Sequence, residues 1–300
     1  MRATSYKTLT RPQAKTLSQD SLLVMIILVA IHVGLAMLFR SVRILSTIHA
    51  IVVFILGFWT ALTSDDIKRV IPYAAYISGV EILWRMTKAS VFWEFGKYAV
   101  VVILLVSLLR QHKKLKNLRL TLLFFALFLP SIYLTIDSYG FSRLTADLIS
   151  FILSGPLAAP LCILFFSQVE LDDKTLKRSI WAAVYPIVGV LTLAIYSTMT
   201  ATKIDFGSES NFITSAGYGP NQVSAILGLG AMLLILYSIL MPREKGRLMA
   251  IALSLILIAQ SFLTFSRGGI YNIAVALGLA FLVLLRRPNK GIRAFLILLV

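Results

Sequence analysis

Cysteine is almost absent. Cys162 is the only one in 300 residues, which excludes an intramolecular disulfide. Histidine is nearly as scarce, with His32, His49 and His112 alone, and no Cys/His grouping has metal-ligand spacing. No glycine-rich loop precedes a lysine in the manner of a phosphate-binding loop. Charge is thin: 14% of residues are charged, where a soluble domain carries about 25%. Acid is scarcest, with 13 Asp and Glu against 29 Lys and Arg. What remains is apolar. Hydrophobic residues make up 58% of the chain and the mean hydropathy is +0.87, the composition of a polytopic membrane protein. A net charge of +16 would point to nucleic acid in a soluble domain. Here basic residues gather in cytoplasmic loops instead, and no nucleic-acid partner is expected.

A bilayer crossing takes about 20 apolar residues. The hydropathy pattern predicts spans over 22–39, 44–62, 70–84, 98–109, 120–136, 144–167, 179–198, 223–241, 248–265 and 270–285, with an incomplete last span at 294–300. The fold class is therefore all-α, a polytopic transmembrane helix bundle of about 10–11 spans. Residues 1–21 read as a cytoplasmic basic tail, and 22–300 as a single transmembrane domain with outer loops near 81–98 and 201–222. The third and fourth spans are short, so their ends should extend into flanking polar residues. No small-residue cleavage site follows the first apolar run, which reads as an uncleaved helix. With the N-terminus cytoplasmic, segments 1–21, 63–69, 110–119, 169–178, 242–247 and 286–293 lie inside and hold 21 of the 29 basic residues. The reverse orientation would place "RQHKKLKNLR" and "RRPNKGIR" outside, against the charge rule.

That topology explains a charged stop inside an apolar run, "IAQSFLTFSRGGIYNIAVALG" at 258–278. An arginine at mid-bilayer costs about 2.5–3.5 kcal/mol on insertion scales. Two helices meeting at Ser266-Arg267-Gly268-Gly269 avoid the cost by placing Arg267 at the outer surface, with glycines free to take positive φ in the turn. Arg267 then either snorkels to headgroups or binds a ligand. The outer segment 201–222 carries Lys203 and ends in Gly219-Pro220-Asn221 before the next span. Pro220 suits a first helical turn, and Asn221 either caps the helix or offers its amide to a ligand. The other outer segment, "EILWRMTKASVFWEFGKY", mixes aromatic and charged residues as interfacial segments do. Glu81 and Arg85 stand at i,i+4, as do Arg143 and Asp147. Arg267, Ser266, Asn221, Arg85, Glu81, Arg143 and Lys203 form the candidate substrate-binding set of a polar outer vestibule. Arginine's planar fork suits phosphate oxygens, and a lipid-linked diphosphate would lay its tail between helices with its head at this depth.

These residues resemble a known family. Many helices, a Gly-Pro-Asn before one of them, and "TFSRGG" at the outer end of the next are similar to bacterial O-antigen ligases and polysaccharide polymerases. The "YISGVEILWRM…FWEFGKY" stretch looks like polymerase/ligase-type proteins of exopolysaccharide clusters. The resemblance covers roughly residues 70–300 through short motifs. It implies a glycosyltransferase of the bacterial inner membrane, active on the periplasmic face. The donor would be an undecaprenyl-pyrophosphate-linked glycan, the acceptor a glycan or lipid, and no cofactor or metal is implied. Arg267 matches the arginine that holds the donor's pyrophosphate. Three departures stand out. "NFITSAGYGPNQ" lacks the arginine that many members carry before this motif, leaving Lys203 the nearest base. The family's large outer loop with a proposed catalytic histidine would follow the point where this sequence stops, and none of the three histidines present falls on an outer segment. The last apolar run reaches only Val300. The catalytic residue is thus unassigned, and the chain reads as a truncated member.

Two other classes remain open: a transporter or flippase of lipid-linked or anionic solutes, and a non-catalytic membrane component. A transporter predicts charges at mid-bilayer and broken helices. The sixth span, "FILSGPLAAPLCILFF", favours it most, because Gly155, Pro156 and Pro160 would break a helix at depth, although membrane helices also tolerate a simple kink.

Overall fold

The computed structural model describes residues 22–111, 115–204 and 210–266, with five single positions between 271 and 282. Among the described residues the chain is all helical: α1 (Leu22–Ser41), α2 (Arg43–Thr63), α3 (Ile71–Met86), α4 (Phe95–Arg110), α5 (Leu118–Ala126), α6 (Leu129–Tyr139), α7 (Arg143–Phe166), α8 (Asp173–Thr200), α9 (Pro220–Leu240) and α10 (Arg247–Leu263), with short 3₁₀ turns at Ile67–Val70 and Ile213–Ser215. Six segments are long and apolar enough to cross a membrane: α1, α2, α5 with α6, α7, α8 and α9. The tail 1–21, most of the tenth predicted span and the run from Ala294 lie outside the described residues. The third span does extend, since the turn Ile67–Val70 runs directly into α3.

Helix α8 is the hub. In its most apolar window 72% of residues are buried, against 6% across α5 and α6, and it packs on α1, α3 and α9. Its closest neighbour is α3. A Cβ on Gly79 would fall 2.2 Å from the Ala183 carbonyl oxygen, so only glycine allows the two backbones to approach this closely. At about 1.5 Å per residue, its 28 residues exceed a hydrocarbon core of about 30 Å. The polar first turns, capped by the Asp172 side chain on the Thr175 amide at 2.7 Å, project beyond it. Hydropathy alone places the start six residues late because it cannot see a capped polar turn. The periphery is apolar: Leu120, Leu123, Leu129 and Tyr133 are exposed on α5 and α6, as are Ile48, Ile55 and Trp59 on α2. Side chains of this kind turned outward along several helices suit lipid contact.

Proline acts differently in two places. Pro130 removes an amide from the predicted fifth span, which splits into α5 and α6 at Leu127 and Phe128. Helix α7 runs unbroken through Pro156 and Pro160. The break at depth expected from a transporter is therefore absent from α7.

The bundle has two unlike ends. At one, Arg110 pairs with Asp65 at 2.7 Å, Lys68 with Asp172 at 3.5 Å and Lys177 with Glu244 at 2.7 Å. Gln168 Nε2 also donates to the Lys116 carbonyl at 3.0 Å. These contacts join 63–69, 110–119, 169–178 and 242–247, the segments that charge placed on one side of the membrane. At the other end, residues 81–98 meet the segment 211–222, which is itself tied to the tip of α10.

Candidate functional site

The aromatic end is built from three pieces. Helix α3 closes with a left-handed Lys88 (φ 57°), and the following loop is pinned to α2 by the Ser90 amide donating to Thr47 Oγ1 at 2.8 Å. This loop returns Glu94 toward α3, where Arg85 pairs with Glu81 and stands 3.7 Å from Glu94. Lys97 Nζ lies 2.5 Å from Glu94 and donates to Ser154 Oγ at 3.2 Å. Gly96 makes the arrangement fit, because a Cβ there would come within 2.8 Å of Glu81 Cγ. Glu81, Arg85, Lys88, Phe92 and Trp93 line a cleft of about 300 Å³.

The second piece is the segment before α9. The Asn211 side chain accepts from the amides of Ile213 and Thr214 at 2.9 and 3.2 Å. The segment is tied to the tip of α10 by the Asn211 amide donating to the Thr264 carbonyl at 2.8 Å and by Thr214 Oγ1 donating to the Leu263 carbonyl at 2.6 Å. Gln260 reaches up to the Thr214 carbonyl at 2.8 Å. Tyr218 lies with its ring 6.4 Å from Trp93 and donates to Gln222 at 2.7 Å. Trp93 in turn carries the Arg85 guanidinium over its face at 4.6 Å. Burial pushes the Tyr218 hydroxyl up, with the nearby Arg85 opposing that rise.

The third piece is the exit from α10. The helix stops at Leu263 and Phe265 takes φ 53°, so residues 248–285 are not one continuous helix. Ser266 is buried and donates to Asn221 Oδ1 at 2.8 Å. Asn221 therefore does not cap α9. The cap position is Gly219, with no side-chain capping bond, and Pro220 opens the first turn.

The structure thus brings Glu81, Arg85, Asn221 and Ser266 to one end of the bundle. Arg267, which follows Ser266, lies outside the described residues, as do Gly268, Gly269 and His112. Lys203 is exposed between α8 and the 211–222 segment, and Arg143 is exposed on the first turn of α7, where no ion pair joins it to Asp147. Sequence reasoning missed Glu94, Gly96, Trp93 and Tyr218 as site-forming residues. Only an unexplained acid among aromatics hinted at Glu94. The cluster is also less basic than the expected vestibule, since Glu81 and Glu94 offset Arg85 and Lys97.

His32 and His49 occupy a separate, closed network. A carbonyl can only accept, so His32 Nδ1 donates to Leu28 (2.7 Å) and its Nε2 accepts from the Tyr76 hydroxyl (3.0 Å). An indole can only donate, so Trp84 Nε1 gives to His49 Nδ1 (3.0 Å) and His49 Nε2 gives to the Tyr76 oxygen (3.0 Å). With both rings neutral every member is satisfied, and each end is closed by a group that does not relay protons.

No family model, curated protein or solved structure matches the chain.

Proposed function

We propose that the chain is a membrane glycosyltransferase of surface-polysaccharide assembly, acting on an undecaprenyl-pyrophosphate-linked glycan at the aromatic end of the bundle. The Ser266–Asn221 bond carries the reading. It ties the residue just before Arg267 to the start of α9, on the same end as the Arg85 cleft. In the reaction, an acceptor hydroxyl oxygen attacks the anomeric carbon while that carbon's bond to the pyrophosphate oxygen breaks. The diphosphate leaves with the electron pair, and arginine forks stabilise the charge it gains. The hydroxyl proton needs a base, and Glu81, whose carboxylate borders the cleft, is the group we assign to take it. The basic-loop rule sets the N-terminus and the basic end in the cytoplasm and this cleft on the periplasmic face of a bacterial inner membrane. The closed His32–Tyr76–His49 network and the unbroken α7 weigh against a proton-coupled transporter.

The test supplies the purified chain in liposomes with an undecaprenyl-pyrophosphate oligosaccharide and an acceptor glycan, and follows lengthened glycan together with released undecaprenyl pyrophosphate. We expect turnover that falls about a hundredfold or more in Arg267→Ala and is only partly restored by Arg267→Lys. A chain that binds the donor but never releases the diphosphate would overturn the enzymatic reading. Equal binding of undecaprenyl pyrophosphate and neutral polyprenol by the wild type would remove the substrate as well.

A further inference from the structure

The larger cleft lies at the opposite, basic end. It has a volume of about 710 Å³ and opens between the last turn of α2, the turn Ile67–Val70 and the start of α8. Among the described residues four cations line it, Lys68, Arg69, Lys174 and Arg178, with two acids, Asp66 and Asp172. Both acids are already engaged. Asp172 caps α8 through the Thr175 amide and hydroxyl and accepts from Lys68 at 3.5 Å, while Asp66 accepts from the Lys68 amide at 3.0 Å. Arg69, Lys174 and Arg178 are exposed, and no side-chain hydrogen bond or ion pair holds any of them among the described residues. Four cations against two acids leave this concave wall with a net positive charge of two. Three exposed cations on it without an ion-pair partner among the described residues are an arrangement suited to an anion.

The cleft also touches the lipid-facing side. Thr60 and Thr63 line it, one helical turn beyond Leu56 and Trp59, which are 49% and 64% exposed on α2. Both threonine hydroxyls donate back to their own helix at 2.8 Å, so neither is a free donor for a ligand. A phosphate held by Arg69, Lys174 and Arg178 could carry its acyl chains down the exposed apolar stripe of α2 without crossing any protein. A free phosphate would use the same cations and ignore the stripe.

We propose that this cleft is a binding site for a phosphate group, and specifically for the headgroup of an anionic phospholipid. The site is distinct from the cleft at the aromatic end, and its test needs no catalytic activity. The experiment melts the purified full chain in detergent during titration with phosphatidylglycerol, phosphatidylcholine or inorganic phosphate. We expect a saturable rise in Tm with phosphatidylglycerol and none with phosphatidylcholine. Neutralising Arg69, Lys174 and Arg178 to Gln should weaken the apparent affinity on the order of a hundredfold, given about 1 kcal/mol per basic residue near a charged surface. Neutralising Arg119, Arg243 and Lys245, exposed basic residues outside the cleft, should change it less than about twofold. If the cleft triple variant does not fold, Arg178→Gln alone should still cost several-fold. An equal response to inorganic phosphate would keep the phosphate site and make the free ion its source. An equal loss in both triple variants, or no difference between phosphatidylglycerol and phosphatidylcholine, would reduce the cleft to general surface charge and overturn the proposal.

Discussion

Single residues set the two polar arrangements in this apolar protein, and they differ in how far sequence could reveal them. The Glu81–Arg85 pair was legible, because helical spacing places i and i+4 on one face. Glu94 and Gly96 were not, since a loop and a returning helix bring them there. Nor was the Ser266–Asn221 bond, which joins residues 45 apart. The histidines were visible but carried no sign of their partners. Tyr76 stands between them, so Tyr76→Phe removes the shared hydroxyl and strands two imidazole nitrogens where water is scarce. A lost intramembrane hydrogen bond averages about 0.6 kcal/mol, because the unfolded chain finds other partners in the membrane. Stranding a buried polar group costs about 1–3 kcal/mol. The second effect should dominate. We expect Tyr76→Phe to cost about 1–3 kcal/mol in denaturant unfolding, and the double variant His49→Phe, Tyr76→Phe to cost less than the sum of the single changes. Strict additivity would show that the closed chain does not act as a unit.

Helices were legible in their apolar middles and poorly so at their ends. Predicted and observed limits of α2 agree within one residue, because charged and polar residues bound its apolar run on both sides. The start of α8 was missed because Asp172 caps a turn that hydropathy reads as loop. Proline was ambiguous from sequence alone: one span splits at Pro130 and another continues through Pro156 and Pro160. Pro130 sits in a sparsely buried segment, whereas Pro160 is buried in the contact of α7 with the bundle. Packing decides whether a missing amide kinks or breaks a helix. The same holds for the contact of α3 with α8. Gly79→Ala places its methyl against a backbone carbonyl that cannot rotate away, so the helices must separate. We expect a loss of about 1–3 kcal/mol, as for overpacked cores, seen as a lower Tm in detergent. Gly155→Ala, which meets nothing within 4 Å, should match or slightly exceed the wild type. A harmless Gly79→Ala would mean that the two helices are not held this close.

At the scale of the molecule, charge did more than hydropathy. Four basic segments assigned to one side by counting Lys and Arg are tied together by ion pairs and hydrogen bonds at one end of the bundle, while 81–98, 211–222 and the tip of α10 converge at the other. That segregation is independent of the charge rule, because contacts and not composition produce it. Orientation is the remaining step, and the near-absence of cysteine makes it testable. With Cys162→Ala as background, single cysteines at Ser64 and Lys245 probe the basic end, and at Ser90 and Phe212 the aromatic end. In intact cells a membrane-impermeant thiol reagent should label Phe212→Cys and Ser90→Cys and spare Ser64→Cys and Lys245→Cys. Inverted vesicles should reverse the pattern. Phe212 and Ser90 are both exposed, so both should label readily. Labelling of the basic end in intact cells would invert the protein. The Arg85 cleft would then face the cytoplasm, where a periplasmic glycan donor does not reach it, and the proposed glycosyl transfer would fall while the helical bundle stood unchanged.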